Sequence, residues 1–138
     1  MSSARVFIRA ENTGRFLFVQ RASHDVNHAG EEVPPGGKRK PDETAEHAAR
    51  REVKAETGID LESIVPLCIR SMKAKRTREG TPETFAVHYF LADILEEVTV
   101  KGELGTAAYW RTIDEYLRKP SQPEYQETAR EFKDVIER

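Results

Sequence analysis

The sequence has few of the features of a secreted, membrane-spanning or strongly basic protein. Its single cysteine, Cys68, excludes an internal disulfide framework and fits a reducing compartment, so we expect a cytoplasmic location. The longest uncharged run, Thr84–Ala92, is too short to span a bilayer, and no N-terminal signal peptide is visible. The net charge of −2 gives no overall attraction to nucleic acid or to an acidic membrane.

The length and composition of the chain predict one folded unit. A chain of 138 residues, 38% hydrophobic and 33% charged, can bury a core without disulfides or structural metals. We therefore expect a single domain over residues 1–138. Cys68 lies in an apolar run, which favours a buried, inert thiol over a nucleophile.

One stretch, from Gly36 to Ile59, carries most of the information about function. It reads GGKRKPDETAEHAARREVKAETGI, a glycine turn that leads into an amphipathic helix. The helix is expected to begin at Thr44 or Asp42 as N-cap and to end at Gly58. The basic turn Lys38–Lys40 is either solvated or in contact with a phosphate.

The same helix carries two carboxylates on one face. Glu52 and Glu56 are four residues apart, so they lie one above the other. Beside a turn that exposes its backbone, stacked carboxylates can hold a hard divalent cation against a phosphate. Arg51 can reach back toward Glu43 or Glu46.

This stretch resembles the signature of the Nudix (MutT-type) hydrolases, G-x5-E-x7-R-E-U-x-E-E-x-G-U, where U is bulky and aliphatic. The matching positions are Gly37, Glu43, Arg51, Glu52, Val53, Glu56, Gly58 and Ile59. The exception is Ala55, which stands where the family usually has the first Glu of its pair.

The resemblance implies a fold and a reaction. The fold is an α/β/α sandwich with a mixed central sheet, in the α+β class. The reaction is metal-dependent hydrolysis of a pyrophosphate bond in a nucleoside diphosphate linked to another group, with Mg²⁺ or Mn²⁺ as the ion. The partner is a small nucleotide-type substrate. The oligomeric state is left open.

The resemblance also implies residue roles. Glu52 would be a metal ligand or general base, Glu56 the principal metal ligand, and Gly36 a ligand through its carbonyl. An additional acid from a late loop would be Glu103, with Glu96 or Glu97 behind it. The arginines expected to meet substrate phosphates are Arg39 and Arg51.

Alternatives remain open at several places. Ala55 removes a carboxylate from the metal cluster, so a catalytically weak or inactive nucleotide- or RNA-binding module is the alternative function. RNA contact would use the basic Arg70–Arg78 loop, for which a solvated loop is the default. Isomerisation of an isoprenoid diphosphate would need another acid or thiol, and Cys68 is not obviously placed for it. His24 and His28 are expected to be exposed loop residues, and the alternative is that one of them contacts substrate.

The remaining elements follow from periodicity and turn residues. The expected strands are Arg5–Arg9, Arg15–Gln20, Ile64–Ser71, Phe85–Ala92 and Glu96–Val100, with another at Tyr109–Arg111. Pro66 implies an edge strand or a bulge. A capping box is expected at Thr112–Glu115, followed by one amphipathic helix over Gln122–Glu137.

Overall fold

The computed structural model describes residues 2–20, 30–73, 84–100 and 107–138. The strands are β1 (Ser2–Ala10), β2 (Phe16–Gln20), β3 (Glu32–Val33), β4 (Gly36–Lys38), β5 (Val65–Lys73), β6 (Thr84–Ile94) and β7 (Ala107–Arg111). The helices are α1 (Ala45–Thr57), α2 (Ile113–Tyr116), α3 (Pro123–Glu131) and α4 (Lys133–Ile136). Within these ranges, no helix has the length and apolar character needed to cross a bilayer.

The described strands form one mixed sheet with β1 at its centre. The strand order is β3-β2-β1-β6-β5, with β4 also paired to β1 and β7 to β2. The long β1–β6 pair is parallel, and the other pairs are antiparallel. The predicted mixed sheet is therefore confirmed.

Alternation along β1 divides the core into two layers. Ala4, Val6 and Ile8 are fully buried and pack with Ala48, Ala49 and Val53 of α1. Phe7 points to the opposite face, where aromatic side chains from the later helices cover the sheet. On that face Phe18 stacks on Tyr116 with ring centroids 4.0 Å apart. The sheet thus lies between α1 on one side and α2, α3 and α4 on the other.

Most of the expected strands are present, with different ends. Strand β5 lies at the edge of the sheet, and its register with β6 shifts between Pro66 and Cys68. Pro66 therefore marks both an edge and a bulge, because its nitrogen cannot donate to a ladder.

The expectation of a strand at Glu96–Val100 is wrong. Side chains, instead of a neighbouring strand, pair with this backbone. The Val98 carbonyl accepts from Trp110 Nε1 at 3.0 Å, and the Glu97 N–H donates to Asn12 Oδ1 at 3.3 Å. Glu97 itself forms a bidentate ion pair with Arg15, both contacts at 2.6 Å.

The expected single C-terminal helix is also wrong, because it is interrupted at Phe132. This residue has φ −101° and ψ 15°, outside the helical range, and it separates α3 from α4. Arg70 of β5 lies 5.1 Å over the Phe132 ring and pairs with Glu131 at 2.6 Å. These contacts hold the interruption against the edge strand.

Candidate functional site

Helix α1 is held by caps at both ends and by a narrow apolar face. Thr44 is the N-cap, and its Oγ1 accepts from the His47 N–H at 3.1 Å. Gly58 ends the helix with φ 77°, and its N–H donates to the Lys54 carbonyl at 2.9 Å. Both were expected. The buried alanines at positions 48 and 49 let the helix axis approach β1 closely.

The glycine turn is pressed against β1. Gly36 has φ 153°, and a Cβ built there would lie 1.9 Å from the Ala4 carbonyl oxygen. Only glycine can occupy this position without moving the strand. The turn is further fixed by the Val6 N–H, which donates to the Pro35 carbonyl at 2.9 Å.

Gly37 lies directly beneath the carboxylate of Glu52. A Cβ at Gly37 would be 2.6 Å from Glu52 Cδ and 2.7 Å from its Oε2. Because those distances are shorter than any real contact, the carboxylate occupies the space that a side chain at position 37 would fill. The turn and the helix therefore meet at this carboxylate.

Arg51 connects the carboxylates around the turn. Its Nε and Nη2 donate to Glu43 at 3.1 and 2.6 Å, and its Nη1 donates to Glu52 Oε1 at 2.8 Å. Nη2 also reaches the Lys38 carbonyl at 3.1 Å. Of the two partners the sequence left open for Arg51, the structure shows Glu43.

Charge and hydrogen bonding shift the pKa values of Glu43 and Arg51. The guanidinium of Arg51, followed by the backbone N–H of Lys40, lowers the pKa of Glu43 from 4.5 to about 2. The hydrogen bond with Glu43 raises the pKa of Arg51 above its already high value. Both groups are ionised at neutral pH, so the loop–helix junction is a fixed ion pair.

The structure places the other proposed site residues as follows. Glu56 lies on α1 one turn beyond Glu52 and is half-buried, while Ala55 between them is exposed. Arg39 is half-buried, with Nε donating to Ser2 Oγ at 2.7 Å and Nη1 to the Glu43 carbonyl at 2.8 Å. Glu103 lies outside the described residues.

Several other expectations fall partly or wholly outside the described ranges. These are His24 and His28, together with positions 74–78 of the Arg70–Arg78 loop. Cys68 is half-buried on β5, and burial raises the pKa of its thiol, which agrees with an inert cysteine. Glu97, one of the acids named behind Glu103, forms an ion pair with Arg15.

Sequence reasoning missed Arg5. Only 5% of this residue is exposed, and its Nη1 donates to the carbonyls of Pro34 at 3.1 Å and Gly36 at 3.3 Å. An arginine near the start of a strand gives no sequence signal of such burial, because arginine is usually exposed.

Comparisons with known proteins agree with this architecture. The model of the NUDIX domain matches residues 1–132. Nucleoside triphosphatase NudI of Enterobacter sp. (strain 638) is 30% identical over 105 residues, covering 72% of this chain and 74% of that protein. Nudix hydrolase 3 of Caenorhabditis elegans is 26% identical over 128 residues, covering 91% of this chain. The chain spans only 52% of the length of that relative.

A solved structure gives the same fold. The E. coli dihydroneopterin triphosphate pyrophosphohydrolase superposes with a TM-score of 0.79 at 21% identity, covering 95% of this chain and 93% of that chain. Because the NUDIX domain model matches residues 1–132, the chain belongs to that family. Hydrolases of this family generally use divalent metal ions.

The oxygen groups at the turn suit such an ion. Glu52 Oε2 lies over Gly37, where no side chain separates it from the turn. Carboxylate and carbonyl oxygens are the ligands that Mg²⁺ and Mn²⁺ prefer. Among the residues the structure describes, no three His, Cys, Asp or Glu side chains gather as a metal site. A complete ligand set would therefore need a carbonyl, the substrate or residues beyond the described ranges.

Proposed function

We propose that this protein hydrolyses a pyrophosphate bond in a nucleoside diphosphate linked to another group, using Mg²⁺ or Mn²⁺. The observation that carries the proposal is the position of the Glu52 carboxylate over Gly37, held there by Arg51. Family membership supports the reaction class. The relative named as a nucleoside triphosphatase supports a nucleotide substrate.

The proposed ligands are oxygen atoms from the turn, from α1 and from a late loop. Glu56 is the principal ligand, and Glu52 is a second ligand or the general base. The carbonyl of Gly36 and the carboxylate of Glu103 complete the set. When bound, the ion neutralises the diphosphate, orients it and makes water a better nucleophile.

The protein residues contribute orientation and charge. Arg51 uses Nε, Nη1 and Nη2 within the protein, so its first effect is to hold Glu43 and Glu52 in place. Arg39 lies beside the same turn, and its Nη1 already donates to the Glu43 carbonyl. Each arginine also adds positive charge at the turn, which favours an anionic phosphate there.

Ala55 favours a second candidate function. It is exposed on α1 between the two proposed ligands, where the family usually has a carboxylate. A site with fewer anionic ligands binds a cation more weakly. The second candidate is therefore a nucleotide-binding module with slow or no turnover.

A substrate panel tests the proposal. The protein is incubated with Mg²⁺ or Mn²⁺ and nucleoside triphosphates, nucleotide sugars, ADP-ribose or dinucleoside polyphosphates. Reaction in ¹⁸O-labelled water then identifies the attacked phosphorus from the labelled product. Metal-dependent release of a nucleotide product supports the hydrolase. Tight nucleotide binding without turnover of any panel member supports the binding module.

A further inference from the structure

A buried arginine lies beneath the glycine turn. Arg5 is the β1 residue paired with Gly36 of β4, and only 5% of it is exposed. Its Nη1 donates to the carbonyls on either side of Pro35, those of Pro34 and Gly36. One guanidinium nitrogen thus holds two carbonyl oxygens of the turn in a fixed relation.

Arg5 is supported from the opposite layer of the core. Its guanidinium carbon lies 5.1 Å from the centroid of the Tyr125 ring, which is itself buried in α3. Such stacking restrains the guanidinium plane and contributes attraction between cation and ring. The C-terminal helical layer therefore contacts the glycine turn through Arg5.

The burial of Arg5 is costly for the fold. No carboxylate of the described residues pairs with it, and its Nε is buried without a hydrogen-bond partner. Burying a cation without a counter-charge is unfavourable, and replacing a buried ion by an apolar residue of similar volume is often neutral or stabilising. What the guanidinium does contact is the glycine turn and the Tyr125 ring.

The contacts continue from Arg5 to the proposed catalytic carboxylate. Arg5 fixes the carbonyl of Gly36, and the next residue, Gly37, lies against the Glu52 carboxylate. Movement of the turn would therefore shift the Gly36 carbonyl oxygen and would also change the distance between Gly37 and the Glu52 carboxylate.

We propose that Arg5 is a positioning residue for the reaction. Held by its contact with the Tyr125 ring, Arg5 sets the orientation of the Gly36 carbonyl and the distance between the turn and the Glu52 carboxylate. This inference rests on the proposed hydrolase function. Arg5 acts through the turn, because its guanidinium contacts the Pro34 and Gly36 carbonyls and the Tyr125 ring.

The test uses Arg5→Met, which keeps an unbranched side chain of similar volume and removes its donors. The expected kcat falls about 10- to 100-fold, because small misplacements of reacting groups have effects of that size. The expected KM stays within about threefold, since the variant removes no substrate contact. The melting temperature is expected to stay within about 3 °C of wild type or to rise.

A matched pair tests the support from α3. Tyr125→Phe keeps the ring and should retain wild-type kcat within about twofold, whereas Tyr125→Leu removes the cation–π contact and should lower kcat in the same direction as Arg5→Met. Arg5→Lys keeps the charge but has a single nitrogen, so it should restore only part of the activity.

A readout without turnover separates this inference from the proposed function. The Val6 N–H donates to the Pro35 carbonyl, so the hydrogen-exchange rate of the Val6 amide reports how firmly the turn is bound to β1. Arg5→Met should accelerate exchange at Val6 and weaken Mn²⁺ binding, measured calorimetrically on the protein alone. The exchange rate of the Ala48 amide, which donates to the Thr44 carbonyl at the start of α1, should be unchanged.

Two results overturn the inference. One is wild-type exchange at Val6 together with wild-type Mn²⁺ affinity in Arg5→Met. The other is loss of activity that accompanies a large fall in melting temperature and faster exchange at both Val6 and Ala48, which would make Arg5 a general stabilising residue. If no substrate is turned over by the wild type, the hydrolase proposal fails, and the exchange and Mn²⁺ measurements still decide the role of Arg5 at the turn.

Discussion

The carboxylate of Glu52 rests on the Cα of Gly37, so that a methyl group at position 37 would lie 2.6 Å from the carboxylate carbon. This contact joins the two parts of the sequence motif, the glycine turn and the helix. It gives a reason for glycine at position 37 other than backbone freedom, because Gly37 has no positive φ. The constraint is the space that the Glu52 carboxylate occupies.

Gly37→Ala is therefore expected to displace Glu52 without unfolding the protein. The clash falls on the end of a flexible side chain, which can move. Loss of the productive carboxylate position should lower kcat about 10- to 100-fold. Steady-state kinetics and a melting curve measure the two effects.

Gly14→Ala is the control. Gly14 has φ 74° and open space around it, so that variant should lose about 1 kcal/mol of stability and keep its activity. Wild-type kcat in Gly37→Ala would show that the contact with Glu52 does not matter.

The ion pair between Glu43 and Arg51 should give a defined pH dependence of stability. The folded-state pKa of Glu43 is about 2, against 4.5 for the free group. A depressed carboxyl pKa stabilises the fold above the unfolded value, and this contribution is lost as the pH falls from 4.5 toward 2. The difference in melting temperature between wild type and Glu43→Gln should thus be largest above pH 4.5 and shrink toward pH 2. A difference that is constant across this window would contradict the assigned pKa.

Ala55→Glu should strengthen metal binding. Ala55 is exposed on α1, three residues after Glu52 and one before Glu56, so a carboxylate there would add an anionic ligand. We expect tighter Mn²⁺ binding and activity at lower metal concentration. Ala55→Gln is the matched control, because it has the same length without the charge. Equal metal affinity in all three proteins would exclude position 55 from the metal site.

Thr44→Ala tests the helix start. Its Oγ1 accepts from the His47 N–H, and loss of such a cap costs about 0.5–2 kcal/mol. Denaturant unfolding should show this loss, while Thr44→Ser, which retains the hydroxyl, should stay close to wild type. If both variants match wild type in stability, the cap contributes nothing measurable.

The local parts of the site could be predicted from sequence. Spacings within one turn and one helix give Gly58 as the helix end, and they narrow the N-cap to Thr44 or Asp42 and the partner of Arg51 to Glu43 or Glu46. The strands could be predicted for the same reason, from alternation and turn residues.

The long-range parts could not be predicted. The burial of Arg5 depends on Pro34 and Gly36 of the turn and on Tyr125 of α3, two segments far from Arg5 in sequence. The absence of a strand at Glu96–Val100 depends on the side chains of Asn12 and Trp110, which hydrogen-bond to its backbone. The interruption at Phe132 is accompanied by contacts with Arg70, far away in sequence. Periodicity does not report such partners.

We propose that Glu52 and Glu56 form a catalytic metal site, and charge-neutral substitution of each carboxylate tests this site. Initial rates of metal-dependent hydrolysis are compared for Glu52→Gln, Glu56→Gln and Glu46→Gln. Glu46 lies on the same helix, is exposed and pairs with Arg50, so it controls for loss of helix charge. A catalytic metal site at Glu52 and Glu56 predicts a loss of about 100-fold or more in kcat for the first two variants and near-wild-type activity for the third. Near-wild-type kcat in Glu56→Gln, or an equal loss in Glu46→Gln, would contradict it.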